Sequence, residues 1–197
     1  IVAAPDSHIQ DLKLLTEADL EDLLITRNAT QVNYPREQGV HQLIEAQARR
    51  TPEAVAVQYG DEQLTYAELS YRSGHLARVL RCKGVAKGTL VGLCLDRSLD
   101  MLVALLGVLK AGAAYVPLDP AFPQDRLQVL VNAAAVGLLL THSHPLAIFP
   151  DYEGEALCLD SSWDYSPEGV QRGTDEAWSI EPAQLAYVIY TSGSSGT

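Results

Sequence analysis

The period of the hydrophobic positions changes several times along this chain, and each change predicts an element. Val40, Leu43, Ile44 and Ala48 fall near helical spacing, which predicts a helix from about Gly39 to Arg50, stopped by Thr51-Pro52. Val55, Val57 and Tyr59 then alternate and meet Gly60-Asp61, so AVAVQYGDEQLTY reads as a hairpin. Its second arm runs into Thr65, with Glu68 three residues on and Leu64 and Leu69 on either side. This is a capping box inside a hydrophobic staple, and it predicts a helix to about Arg81 that stops near Gly84. The apolar run Leu90–Leu95 predicts a short strand. Met101–Ala111 predicts a helix with Leu102, Leu105, Leu106 and Leu109 on one face, Asp100 favouring its start and Lys110-Ala111-Gly112 its end. A strand at Ala114–Pro117 follows at once.

A helix near Asp125–Ala134 and a strand at Gly137–Thr141 repeat the unit, and Ala156–Leu159 and Leu185–Thr191 add strands. Strand, helix and strand joined by tight turns are the pattern of right-handed crossovers. The fold class predicted is therefore α/β, a mostly parallel sheet flanked by helices. Upstream, Thr16 with Asp19 three residues on, flanked by Leu15 and Leu20, predicts a short capped helix, while Asn28-Ala29-Thr30 and Tyr34-Pro35 read as connecting chain. The polar, acidic tract from Pro150 to Pro182 is expected to wrap the surface.

Composition narrows the functions. The 197 residues are 47% hydrophobic and 20% charged, which suits a real core, and the net charge of −11 offers no basic footprint for nucleic acid or an anionic membrane. Neither is an expected partner. The longest uncharged stretch, Leu127 to Pro150, is broken by Gln128, Asn132, His142, His144 and Pro145, so no membrane span is predicted, and no signal peptide opens the chain. Cys82, Cys94 and Cys158 lack metal or disulfide spacing and read as buried, reduced thiols of a cytoplasmic protein. His142 and His144 without further ligands at suitable spacing do not make a metal site.

The final stretch, LAYVIYTSGSSGT, carries the candidate chemistry. Leu185 to Tyr190 alternates as a buried strand would, and from Thr191 the chain turns to hydroxyls and glycines, whose N–H and O–H donors suit a polyphosphate. The same composition also describes a flexible Gly/Ser linker. It is not a Walker A motif, which needs a lysine and a following hydroxyl.

Tyr190–Thr197 resembles the phosphate-binding core motif of adenylate-forming enzymes, specifically the adenylation domains of non-ribosomal peptide synthetases, with Ser195 where threonine is commoner. Leu64–Leu69 is similar to that family's LTYxEL motif. Leu109–Pro120 is similar to its LKAGxAYVPLDP motif, and both read physically as fold-forming. Leu14–Thr30 resembles the linker that follows a condensation domain. The resemblance implies residues 1–36 as that linker and 37–197 as the amino-terminal part of an adenylation core, ending after the phosphate loop. It further implies activation of an amino acid by ATP with magnesium, then loading of the phosphopantetheine thiol of a carrier domain.

By the same resemblance Thr191, Ser192, Gly193, Ser194, Ser195 and Gly196 bind the phosphates. Neighbouring condensation and carrier domains and a small accessory activator protein are the implied partners. In the family the residues for amino-acid choice, adenine, ribose, magnesium and the late catalytic lysine lie beyond this loop, so these 197 residues alone are expected to be inactive. A truncated scaffold or interface subdomain is the other reading.

Overall fold

The computed structural model describes residues 8, 15–160 and 181–191. The chain divides into two compact units, Ile1–Pro35 and Arg36–Thr197.

In the first unit, helix α1 (Glu17–Glu21) is capped as its sequence dictates: the Asp19 N–H donates to Thr16 Oγ1 at 3.1 Å, and the Thr16 N–H donates to Asp19 Oδ2 at 2.9 Å. It then widens into a π-helical turn, Asp22–Thr26. Asn28, expected only to connect, closes that turn by donating from Nδ2 to the carbonyls of Leu23 and Leu24 at 2.8 and 3.1 Å. The staple residues Leu15 and Leu20 stay 42% and 41% exposed, so capping rather than burial defines this helix.

The second unit begins with α2 (Val40–Arg50) and the hairpin β1 (Val55–Tyr59) and β2 (Glu62–Thr65), turned by Gly60 at φ +61°. Helix α3 (Tyr66–Cys82) starts on the expected box, Thr65 with Glu68, and both staple leucines are buried in one core. Helix α4 (Leu99–Ala111) begins two residues before the expected Met101, because Ser98 Oγ accepts the Met101 N–H and a hydroxyl cap outranks the acidic Asp100. Gly112, at φ +84°, ends it in the left-handed conformation.

Helices α3 and α4 cross at Gly107, where an added Cβ would lie 2.7 Å from Leu76 Cδ2 and 3.0 Å from its Cβ. Strands β3 (Leu90–Cys94), β4 (Ala114–Pro117), β5 (Leu138–Thr141) and β6 (Glu155–Cys158) form one parallel sheet in the order β4-β3-β5-β6. Helix α5 (Gln124–Ala133) links β4 to β5, and the short α6 (Ser143–Leu146) lies between β5 and β6. Leu90 sits opposite Ala114 in parallel register, as expected of a crossover.

Alternation divides the sheet between two cores. Val91, Leu93, Leu138 and Leu140 pack with α3 and α4, whereas Cys94, Val116 and Leu139 pack with Leu127 and Val131 of α5. Lys110, expected only to complement the end of α4, is 8% exposed. Its Nζ reaches Glu45 Oε1 of α2 at 3.1 Å and the Ser70 carbonyl and Oγ of α3 at 3.1 and 3.2 Å. Burial pulls its pKa down, and Glu45 opposes that pull. His41, buried on α2, is likewise held below its usual range by burial. The thiols depart from expectation: Cys94 is buried, but Cys158 is half-buried and Cys82 exposed, because Cys82 closes α3 at the surface.

Candidate functional site at the carboxyl ends of the strands

In an open parallel sheet ligands bind beyond the carboxyl ends of the strands, where βα turns leave toward opposite faces. Here β3 is first of the four in sequence yet lies between β4 and β5, with α4 on one face and α5 on the other. At this end β3 runs into Leu95-Asp96-Arg97, β4 into Leu118-Asp119-Pro120, β5 into His142-Ser143-His144 and β6 into Leu159-Asp160. Several turns are closed by their own side chains. Asp119 Oδ1 accepts the Ala121 N–H at 2.9 Å, and the Asp160 carboxylate accepts the Ser143 N–H at 3.0 and 2.9 Å and its hydroxyl at 3.0 Å.

The stretch Leu185–Tyr190 joins this sheet on the free side of β4. The Tyr115 N–H donates to the Ala186 carbonyl at 3.1 Å, and the Val188 N–H donates to the Tyr115 carbonyl at 2.9 Å. The pairing is parallel at Tyr115 and Tyr187, whose rings lie 5.7 Å apart. In this register Thr191 falls level with Asp119, at the carboxyl end of the sheet. The expectation of a buried strand is corrected: the stretch makes a single parallel bridge rather than a ladder, and Leu185, Tyr187 and Ile189 are 66%, 53% and 59% exposed. Of this stretch only Val188 packs against the core, because the segment is the sheet's edge and no described residue covers its far side. Thr191 is exposed. Ser192, Gly193, Ser194, Ser195 and Gly196 lie outside the described residues.

The field at this end is set by carboxylates. Burial, and then the charges of Asp96 and Asp119, push the Cys94 thiol up to about 12. Asp160 is held below the usual carboxylate range chiefly by the Ser143 N–H. Of the cations, Arg126 stacks its guanidinium 4.2 Å above the Phe122 ring in the β4–α5 turn. His142 Nε2 lies 3.4 Å from Asp100 Oδ2. Among the described residues there is no group of three or more His, Cys, Asp or Glu that could hold a metal ion. Among them, too, no helix is long and apolar enough to cross a membrane.

A family model described as "AMP-binding enzyme" matches residues 44–197. The chain belongs to the AMP-binding enzyme family. Among curated relatives it is 42% identical over 198 residues to tyrocidine synthase 3 of Brevibacillus parabrevis, and 40% identical over 196 residues to gramicidin S synthase 2 of Brevibacillus brevis. All of this chain aligns to 3% of the first and 4% of the second, so it spans a small part of the proteins it matches. Among solved structures, the AMPPNP-bound form of the non-ribosomal peptide synthetase FmoA3 superposes with a TM-score of 0.70 at 31% identity, over 87% of this chain and 18% of that one. The N-terminal subdomain of Klebsiella oxytoca NpsA shares the fold, with a TM-score of 0.69 at 23% identity over 82% of this chain and 41% of that one. In this member of the AMP-binding family, β4 of the Leu109–Pro120 motif pairs with the segment that leads into Tyr190–Thr197. Sequence reasoning missed Gln184, whose Nε2 donates to the carbonyl of Gly112, because a lone polar residue carries no periodic signal.

Proposed function

We propose that this chain is the amino-terminal part of an adenylation core in a non-ribosomal peptide synthetase, preceded over residues 1–36 by the linker from a condensation domain. The reaction is a two-step transfer. An amino-acid carboxylate oxygen attacks the α-phosphorus of ATP, and the bond to pyrophosphate breaks with its electron pair leaving on pyrophosphate. A carrier-domain phosphopantetheine thiol then attacks the acyl carbon, and AMP departs. The observation that carries this reading is the parallel pairing of Tyr187 on β4, which sets Thr191, where the hydroxyl-rich sequence begins, at the end of the sheet where α/β proteins bind nucleotides. The likeness to the AMPPNP-bound synthetase supports ATP as the ligand.

Thr191, Ser192, Ser194 and Ser195 supply hydroxyl donors, and Gly193 and Gly196 let the backbone approach the phosphates. Their role is to stabilise charge that develops on departing pyrophosphate, which a carboxylate-rich edge would otherwise oppose. By the same resemblance, the residues for magnesium and the late lysine lie beyond the phosphate loop. An accessory activator protein and a cytoplasmic location follow from the same resemblance. The 197 residues by themselves are expected to show no amino-acid-dependent pyrophosphate exchange. In the full-length protein Gly193→Val slows adenylate formation by about a hundredfold, the size of losing one donor aimed at developing charge. If it leaves that step intact and slows only thiol transfer, the loop is a linker and the assignment fails.

A further inference from the structure

We propose that Gln184 is a positioning residue for the phosphate loop: its side-chain amide hooks the edge segment that leads into the loop onto the carbonyl of Gly112 and so sets the register on β4. The functional arm of this inference rests on the adenylation reading; the structural arm does not. The edge segment is held to β4 by two main-chain hydrogen bonds, both to Tyr115. Most of its side chains are exposed, so burial of one face, which ordinarily specifies register, is weak here. A slip of one residue moves the segment about 3.3 Å along β4 and turns each side chain to the other face. Thr191 would leave the level of Asp119, and Tyr187 would leave Tyr115.

The restraint against that slip lies just upstream. Gln184 Nε2 donates to the carbonyl of Gly112, the left-handed residue that ends α4. The Gln184 N–H closes a turn on the Glu181 carbonyl at 3.0 Å, which fixes the chain from which the side chain projects. A Cβ at Gly112 would be in ordinary van der Waals contact, 3.4 Å from Arg81 Nη2 and 4.0 Å from Gln184 Nε2. Two residues on from Gln184, the Ala186 carbonyl takes the Tyr115 N–H, so a side-chain bond and a main-chain bond bracket the entry to the strand. The nearby Lys87–Glu181 pair, 2.8 Å apart, has both side chains more than 60% exposed and contributes little. Gly112 and Tyr115 both belong to the Leu109–Pro120 motif, and Gln184 lies just ahead of the segment that leads into Tyr190–Thr197. The LKAGAAYVP segment is therefore the template against which the phosphate loop is aligned, and displacement of a reacting group by about 1 Å already costs on the order of a hundredfold in rate.

The test uses the full-length protein with Gln184→Met, which keeps volume and removes the donor, and Gln184→Asn, one methylene too short to reach. Hydrogen exchange of the Val188 amide reads the register, and amides of β3 report that the fold is intact. Both variants should speed Val188 exchange about fivefold, as loss of one hydrogen bond does, with β3 unchanged. Adenylate formation should fall about tenfold or more, while thiol transfer from pre-formed adenylate is kept. Glu181→Gln should change neither. Unchanged Val188 exchange overturns the hook, and faster exchange with undiminished adenylate formation overturns its role in the loop. If the wild-type protein exchanges pyrophosphate with no amino acid, the adenylation reading fails, while the hydrogen-exchange result still decides whether Gln184 anchors the strand.

Discussion

A single methyl group added at two glycines should have opposite effects on this fold. Gly107 of α4 faces Leu76 of α3, which is fully buried, and an added Cβ would sit 2.7, 2.8 and 3.0 Å from Leu76 Cδ2, Cγ and Cβ. The tip of Leu76 could rotate, but its Cβ moves only with its helix, so Gly107→Ala must push α3 away from α4. Overpacking of that kind costs about 3 kcal/mol, and alanine returns about 1 kcal/mol of helix propensity over glycine. The expected net loss is about 2 kcal/mol. Gly74 in α3 has nothing within 4 Å of the same added atom, so Gly74→Ala keeps the propensity gain of about 1 kcal/mol. Urea unfolding with an unchanged slope should show the midpoint falling for Gly107→Ala and rising for Gly74→Ala. If both rise, the close crossing of the helices is not what the glycine is for.

Two further outcomes follow from polar groups. Thr65→Ala should cost about 1 kcal/mol of stability. Thr65 also holds Glu68 below the usual carboxylate range, first through its backbone N–H and then its hydroxyl, so that contribution is present above the ordinary glutamate range and lost as pH falls through the depressed value. An acid titration of thermal stability should therefore fall less steeply in Thr65→Ala. At the buried pair, Glu45→Ala strands the Lys110 charge and should cost about 2 kcal/mol, below the full range for a buried pair because Glu45 is 33% exposed. Lys110→Met, with no charge left to bury, should cost less in the same chemical-unfolding assay, and an equal or larger loss would refute the desolvation argument.

What was legible in the sequence was what short-range chemistry decides. Thr65 with Glu68, Gly60 in its turn and Gly112 after α4 are each specified by neighbours within a few residues, and the structure places all three as expected. The parallel pairing of Leu90 with Ala114 was legible too, because the helix between them leaves little alternative. Burial was not. Alternation in Leu185–Tyr190 identifies two faces without saying whether anything covers them, and Lys110 reads as a surface cation until α2 is packed over it. The loop residues of the candidate site remain a reading of sequence and family. The parallel bridge at Tyr187 that brings Thr191 level with Asp119 is structural.

The hook between Gln184 and Gly112 closes a loop of 72 residues, whereas β3, β4, β5 and β6 assemble through successive crossovers. Long closures of this kind are late events in folding. At ribosomal rates of roughly 5–20 residues per second, β4 therefore waits on the order of several seconds for its outer neighbour. During that interval its free N–H and C=O groups are a template for any nascent strand nearby. Two features of β4 limit the hazard: it is only four residues long, and its last, Pro117, has no N–H to offer. The brevity of the strand that seats the phosphate loop is thus also a safeguard during synthesis.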